Sequence, residues 1–381
     1  MSTLLRATKS TFASAKRSVA RAYSTQANDI VIVSAVRSPI VVKAAVARAN
    51  IAPEAVEDLL FGNVISSNVG QAPARQVVIK AGLPVSTEAT TINKVCASGM
   101  KTVTLAATQM MVGLRDVCVA GGMESMSNIP YYVPRGLQYG HSKILDGIIR
   151  DGLWDAYDDI HMGNCAEMTA VEYKVSREEQ DEHALESYRR AAQAWKDGLY
   201  ANEIVPITVK DRKGERSVTE DEEYKNLDVS KVPKLKSAFQ KGGSVTAANS
   251  SKINDGAAAL VLMTASKAKE LNVTPLARIL SFADAATSPK LFTIAPSLAI
   301  PIALKRAGLQ VSDVNLWEIN EAFSVVIRAN EKIMKLDPSK VNARGGGVAL
   351  GHPIGASGAR IVVSLVHALS SGQIGGAAIC M

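Results

Sequence analysis

Ala97-Ser98-Gly99-Met100-Lys101 recurs 259 residues later as Ala356-Ser357-Gly358-Ala359-Arg360, and this repetition constrains the fold more than any other feature of the chain. At the same offset Gly113 falls on Gly372, and the apolar run Val117–Ala120 falls on Gly376–Ile379. At an offset of 258, Arg48-Ala49 falls on Arg306-Ala307. A single Ala-Ser-Gly match is chance, but near-constant offsets across several elements mark an internal duplication. In the first copy, Asp29–Val36 reads as a strand buried on both faces. A helix from about Val41 follows, then a short strand at Leu59–Phe61 and the turn Gly62-Asn63. In the second copy, the strand Ala277–Phe282 precedes a helix around Ile300–Ala307, then Val314–Ile319 and the turn Asn320-Glu321. Such alternation predicts an α/β fold of parallel βαβ units with right-handed crossovers. A length of 381 residues exceeds what one core usually organises, so each copy is expected to build its own.

Between the copies lies a stretch of different character, residues 129–243, richer in charge and tyrosine. It contains an amphipathic helix at Arg177–Leu199, the acidic turn Glu220–Glu223, and a basic set of Lys231, Lys234, Lys236 and Lys241. Structureless loops of that length are foreign to compact domains, so an inserted lobe is expected. The expected organisation is a first half at 28–128 plus 244–275, an inserted loop domain at 129–243, and a second half at 276–381. Residues 1–23 stand apart, with Arg6, Lys9, Lys16, Arg17 and Arg21, many Ser and Thr residues, and no acid. That is the pattern of a mitochondrial transit peptide, and Arg21-Ala22-Tyr23-Ser24 resembles a matrix-processing site cut after Tyr23. A matrix location follows as an expectation. Since this leader holds most of the formal charge of +7, the charge does not point to nucleic acid. No apolar run reaches the roughly eighteen residues a membrane helix needs. The four cysteines form no CxxC pair, and His161 with Cys165 falls short of a zinc ligand set.

Two loops carry the chemistry. Cys96 sits in Asn93-Lys94-Val95-Cys96-Ala97-Ser98-Gly99, where small residues allow a helix to start closely packed. Exposed N–H groups and the positive dipole end there favour a thiolate and offer donors for an oxyanion. A buried structural cysteine is the alternative. The equivalent loop of the second copy, Gly345–Gly358, holds His352 as its only titratable side chain before the helix. No Lys-Ser/Thr follows its glycines, which sets a phosphate loop aside, while a hydrogen-bonded core histidine stays open. The duplication places Cys96 and His352 on equivalent loops, and within hydrogen-bond reach they form an activated nucleophile.

Asn93–Lys101 resembles the nucleophile motif of the thiolase family. Gly121-Gly122-Met123-Glu124-Ser125-Met126-Ser127, Asn320-Glu321-Ala322-Phe323 and Gly351-His352-Pro353 match three further motifs of that family, in order. His161-Met162-Gly163-Asn164 and Val232–Lys236 resemble its acetoacetyl-CoA branch, mitochondrial members in particular. The resemblance runs from about residue 29 onward. It implies duplicated βαβαβαββ halves in a layered α-β-α-β-α arrangement, and reversible condensation of two acetyl-CoA to acetoacetyl-CoA and CoA. A longer-chain 3-ketoacyl-CoA thiolase or a non-catalytic thiolase-like subunit are the alternatives. Carried over, Cys96 holds the acetyl group, His352 activates it, Asn320 positions a water at the oxyanion site, and Cys380 exchanges the α-proton. His161 and Met162 shape a short acyl pocket. Leu153, Phe239, Ala247, Ser251, Ala322 and Phe323 line the pantetheine channel, with Asp228 and Lys231 nearer the nucleotide. Tyr188, Ala247, Ala248, Ser250 and Val348 match a potassium site, with Ser250 in place of the usual alanine. Tyr188 is also expected beside the substrate. No tightly bound cofactor is implied beyond CoA as substrate and product, and homodimers or homotetramers are usual. The sequence departs from the family in two places. A Gly-rich piece after Arg37-Ser38-Pro39-Ile40 is missing, as are a glycine run and a final core strand after Cys380. An open ladder edge and impaired turnover are therefore expected.

Overall fold

The structure, a computed structural model, describes residues 1–7, 28–37, 41–211 and 214–381. Nine strands form one mixed sheet: β1 (Ser2–Ala7), β2 (Ile30–Arg37), β3 (Asp58–Gly62), β4 (Glu88–Ile92), β5 (Val117–Ser125), β6 (Asp255–Thr264), β7 (Ala277–Ala283), β8 (Leu316–Ile319) and β9 (Ile374–Ala378). Their order is β4-β3-β5-β6-β2-β7-β1-β9-β8. The duplication is visible in it. Outward from the β2–β7 junction, each side presents an antiparallel strand and then parallel ones.

In the first half the antiparallel position belongs to β6, paired with β2 and β5. In the second it belongs to β1, paired with β7 from Ser2↔Ala283 to Ala7↔Ala277 and with β9 from Ser2↔Ala378 to Arg6↔Ile374. The ladder edge expected to stand open is therefore filled from the other end of the chain. Met1 and Ile379 extend the pairing through reciprocal backbone bonds of 2.6 and 2.7 Å. Met1 and Leu5 are buried in the central core, as alternation along a strand requires. Of the expected transit peptide, residues 2–7 are thus strand, and residues 8–23 lie outside the described residues.

Eight helices position the site: α1 (Val42–Arg48), α2 (Pro73–Ala81), α3 (Ser98–Met111), α4 (Met162–Glu172), α5 (Arg177–Lys196), α6 (Ala295–Ala307), α7 (Ser324–Met334) and α8 (Ile354–Ala368). The duplicated helices α3 and α8 pack on each other as an inner layer. Every residue of α8 from Ile354 to Val366 is buried, as its largely apolar sequence favours, with Ser357, Arg360 and Ser364 as buried polar exceptions. Their approach depends on absent side chains, because a Cβ on Gly358 would lie 2.4 Å from the Met100 amide nitrogen. On the outer face, α1 and α2 cover the first half while α6 covers the second. The first crossover is short, as its sequence predicts. Its helix α1 has seven residues, against thirteen in α6. A cavity of about 510 Å³ opens at the end of β2, lined in part by Arg37, Asp221, Asn254, Pro353 and Arg360.

Residues 129–243 carry α4, α5 and three small two-stranded pairs. Helix α5 begins with a full capping box between Ser176 and Glu179. No helix among the described residues is long and apolar enough to cross a membrane.

Candidate active site

Packing α3 against α8 brings the two duplicated loops together at their N-terminal ends. Cys96 stands just before α3, on a chain that turns sharply at Val95 with φ of +46°. A β-branched residue in the left-handed region is costly, and here it points the next residue toward the second loop. That loop carries Gly351 at φ +90°, where a Cβ would come within 2.0 Å of Asn254 Nδ2. His352 follows, and its Nε2 lies 3.3 Å from Cys96 Sγ.

The tautomer of His352 follows from its other neighbour. Ser357 Oγ donates to the Pro353 carbonyl at 2.9 Å, so its single proton is committed. Nδ1 of His352, 2.5 Å from Ser357 Oγ, must therefore be the donor of that pair. Nε2 is left with a lone pair facing the thiol. The duplicated serine in the first half does the same work without a histidine. Ser98 Oγ donates to Val95 O at 2.6 Å and accepts from Lys94 N–H at 2.8 Å.

Electrostatics corrects one expectation. The helix end was expected to favour a Cys96 thiolate, but burial, reinforced by the nearby Cys380, pushes this thiol up instead. Burial, with Arg360, pulls His352 down to about 3. Both effects favour a neutral thiol–imidazole pair, in which charge develops only as the sulfur attacks. Cys380 is fully buried and free, and burial raises it to about 12. Asn320 is fully buried, and neither side-chain amide atom is hydrogen-bonded among the described residues, so it retains both donor and acceptor for a small polar guest.

Around this centre His161, Met162, Phe239, Ala322, Phe323 and Cys380 converge. Phe239 stacks on His161 at 4.8 Å and meets Phe323 edge-on at 6.1 Å. Leu153 packs instead against the cluster of Val64, Ile65, Met126 and Ile354, as Cys96 does. Ser251 and Ala322 are joined by a backbone bond of 3.0 Å. Asp228 and Lys231 lie apart, ion-paired to each other at 3.0 Å on an exposed turn. Tyr188 and Val348 share a further cluster under α5 rather than the acyl pocket. There Tyr188 donates to Glu223 Oε1 at 2.7 Å. The carbonyls of Ala247 and Ser250 both accept from Lys252 Nζ, at 2.6 and 3.0 Å.

Two carboxylates that sequence reasoning passed over hold the site in place. Glu124 accepts from the backbone of Val64, Ile65 and Gly355 and from Asn63 Nδ2, at 2.9 to 3.2 Å, tying the start of α8 to the first half. Glu321, next to Asn320, accepts from Ser187, Asn342 and the Val348 amide, and His183 Nε2 lies 3.3 Å away. Despite burial, His183 and these donors hold it down at about 2. Both glutamates lie inside motifs already singled out, so their presence was legible although their partners were not.

Comparison with known proteins agrees with this architecture. Sequence models described as thiolase, N-terminal domain, and thiolase, C-terminal domain, match residues 13–266 and 273–381. The chain is similar to the acetyl-CoA acetyltransferase of Yarrowia lipolytica, 59% identical over 338 residues, covering 89% of this chain and 85% of that protein. It is 54% identical over 374 residues to the mitochondrial acetyl-CoA acetyltransferase of Bos taurus, covering 93% and 89%. Among solved structures, the Acat5 thiolase from Ascaris suum in complex with coenzyme A matches with a TM-score of 0.89 and 47% identity, over 92% of this chain and 96% of that one.

Proposed function

The chain belongs to the thiolase family, and from that premise we propose that it is an acetyl-CoA C-acetyltransferase working through an acetyl group on Cys96. The observation that carries the reading is the Cys96–His352–Ser357 relay, with an unprotonated Nε2 at the thiol. As Cys96 sulfur attacks the thioester carbonyl, its proton passes to Nε2 of His352. Cys380 gives its thiol proton to the departing CoA sulfur, leaving acetyl-Cys96, a Cys380 thiolate and the His352 imidazolium. The Cys380 thiolate then takes an α-proton from a second acetyl-CoA, whose carbon attacks acetyl-Cys96 to give acetoacetyl-CoA, and the expelled Cys96 sulfur recovers its proton from His352. A thioester α-proton is weakly acidic, so a strongly basic sulfur and a site for enolate charge suit the step. Asn320 with water, and His352, serve as that site. Thiolysis is the same path reversed.

The stacked His161–Phe239 pair supports a short acyl group over a long one. Leu153, Ala247, Ser251, Ala322 and Phe323 are proposed to line the pantetheine channel, with Asp228 and Lys231 toward the nucleotide. The acid-free segment 1–23, together with relatives named as mitochondrial, supports a mitochondrial address. A homodimer or homotetramer is the proposed assembly, with the 129–243 lobe as its extra contact.

Incubation with acetyl-CoA followed by mass spectrometry is expected to find one acetyl group on Cys96 and none in Cys96→Ser. Thiolysis of acetoacetyl-CoA is expected to fall by about 10³-fold or more in that variant. An intact chain that takes no label would sink the proposal in favour of a non-catalytic subunit. Preferential cleavage of longer 3-ketoacyl-CoA would shift it to the longer-chain reading.

A further inference from the structure

The turn Ala247–Lys252 already carries a cation where the family resemblance calls for potassium. Lys252 curls back over its own turn and donates to the carbonyls of Ala247 and Ser250. Its ammonium stands 5.9 Å from the centre of the Tyr188 ring. The carbonyls of Ala247 and Ser250, two of the five expected potassium ligands, are thus engaged, while Tyr188 gives its hydroxyl proton to Glu223. An alkali metal ion added to this cradle would sit against a like charge in a half-buried setting, where repulsion is poorly screened. Burial lowers the Lys252 pKa, and Glu223 opposes that shift. The residues as they stand do not fit a potassium ion.

This turn joins two parts of the active site. On one side Asn249 O accepts from Ser324 N–H at 2.8 Å, Ser251 N–H donates to Ala322 O at 3.0 Å, and Ser250 bridges Phe323. On the other, the carbonyl of Lys252 itself accepts from His352 N–H at 3.0 Å. Whatever neutralises the converging carbonyls of the turn therefore also fixes the base-bearing loop against the Phe323 wall.

We propose that Lys252 is a built-in cation: its ammonium takes the carbonyl cradle that potassium would fill, and it positions the His352 and Phe323 loops without any added metal ion. The proposal rests on the thiolase reading only for its activity arm. The test compares the full chain with Lys252→Thr, which frees the carbonyls and removes the charge, in KCl, NaCl and choline chloride at equal ionic strength. Thermal unfolding is the first readout. The unsubstituted chain is expected to melt at one temperature in all three salts. Lys252→Thr is expected to melt lower in choline and to regain stability in KCl more than in NaCl. In thiolysis, its kcat/KM is expected to fall about tenfold in choline, as for loss of charge-assisted hydrogen bonds, and to recover with potassium. Should Lys252→Thr not fold in choline, Lys252→Met, which keeps most of the stem, is melted in the same salts. A potassium-specific rise in the unsubstituted chain would overturn the proposal. So would variants that potassium stabilises no better than sodium. Failure of thiolase activity altogether would show in the kinetic arm and leave the melting comparison to judge Lys252.

Discussion

At the scale of single residues, the site is a set of proton commitments. Ser357 spends its one hydrogen on Pro353, which fixes the proton of His352 on Nδ1 and leaves Nε2 for Cys96. Replacing Ser357 by Ala removes the acceptor that holds this tautomer. The expected result is a fall of about 10- to 100-fold in kcat/KM for thiolysis, the range seen when a partner orienting a functional histidine is lost. Little change in KM is expected, and an unaltered rate would show that Nδ1 needs no anchor. The duplication made Cys96 and His352 legible, because a repeated Ala-Ser-Gly points at both loops. The role of Ser357 was not legible although it lies inside that repeat, since the sequence does not reveal where its hydrogen points. Lys252 escaped for a similar reason: a flexible stem leaves no trace of which carbonyls its ammonium will reach.

At the scale of elements, the strands of both copies could be read because buried strands are apolar runs bounded by turns. Asp29–Val36 was expected where Ile30–Arg37 forms, and Ala277–Phe282 where Ala277–Ala283 forms. Strand β1 could not be read that way. Met1–Ala7 is short, basic and next to more basic residues, and its pairing partners lie hundreds of positions away. Only the sheet's pseudo-symmetry, with β1 opposite β6, shows why it belongs there. Leu5 gives a direct check, since it is fully buried in the central core. Leu5→Asp would bury an unpaired carboxylate between β7 and β9, which costs several kcal/mol. The expected outcome is a lower melting temperature and faster proteolysis within the second half. A variant as stable as the parent would mean that β1 does not contribute to the folded sheet.

At the scale of the molecule, stability should have a flat-topped pH profile set by three buried groups. His352 is held down at about 3 from 6.5, so below 6.5 the unfolded chain takes up a proton that the folded chain refuses, and stability falls. Glu321 is held down at about 2 from 4.5. Its contribution is complete above 4.5 and is lost as pH drops toward 2. Glu318 runs the other way. Burial lifts it to about 8, and Arg360, 3.6 Å away without a hydrogen bond to it, fails to offset this. Between 4.5 and 8 the unfolded chain releases a proton that the folded chain keeps, so stability falls as pH rises. The His352 and Glu318 effects oppose each other from 4.5 to 6.5. Melting temperature should therefore be level across that window and decline on both sides. Glu318→Gln should remove the alkaline decline and turn the level window into a rise from 4.5 to 6.5, where His352 is then unopposed, and a profile unchanged by it would locate the titrating group elsewhere. Strand β1 also ties distant parts of the sequence into one seam, since residues 2–7 pair with residues 277–283 on one side and residues 2–6 with 374–378 on the other. Releasing β1 strips both neighbours of a partner at once, so fraying of the first strand and loosening of the last are one event and not two.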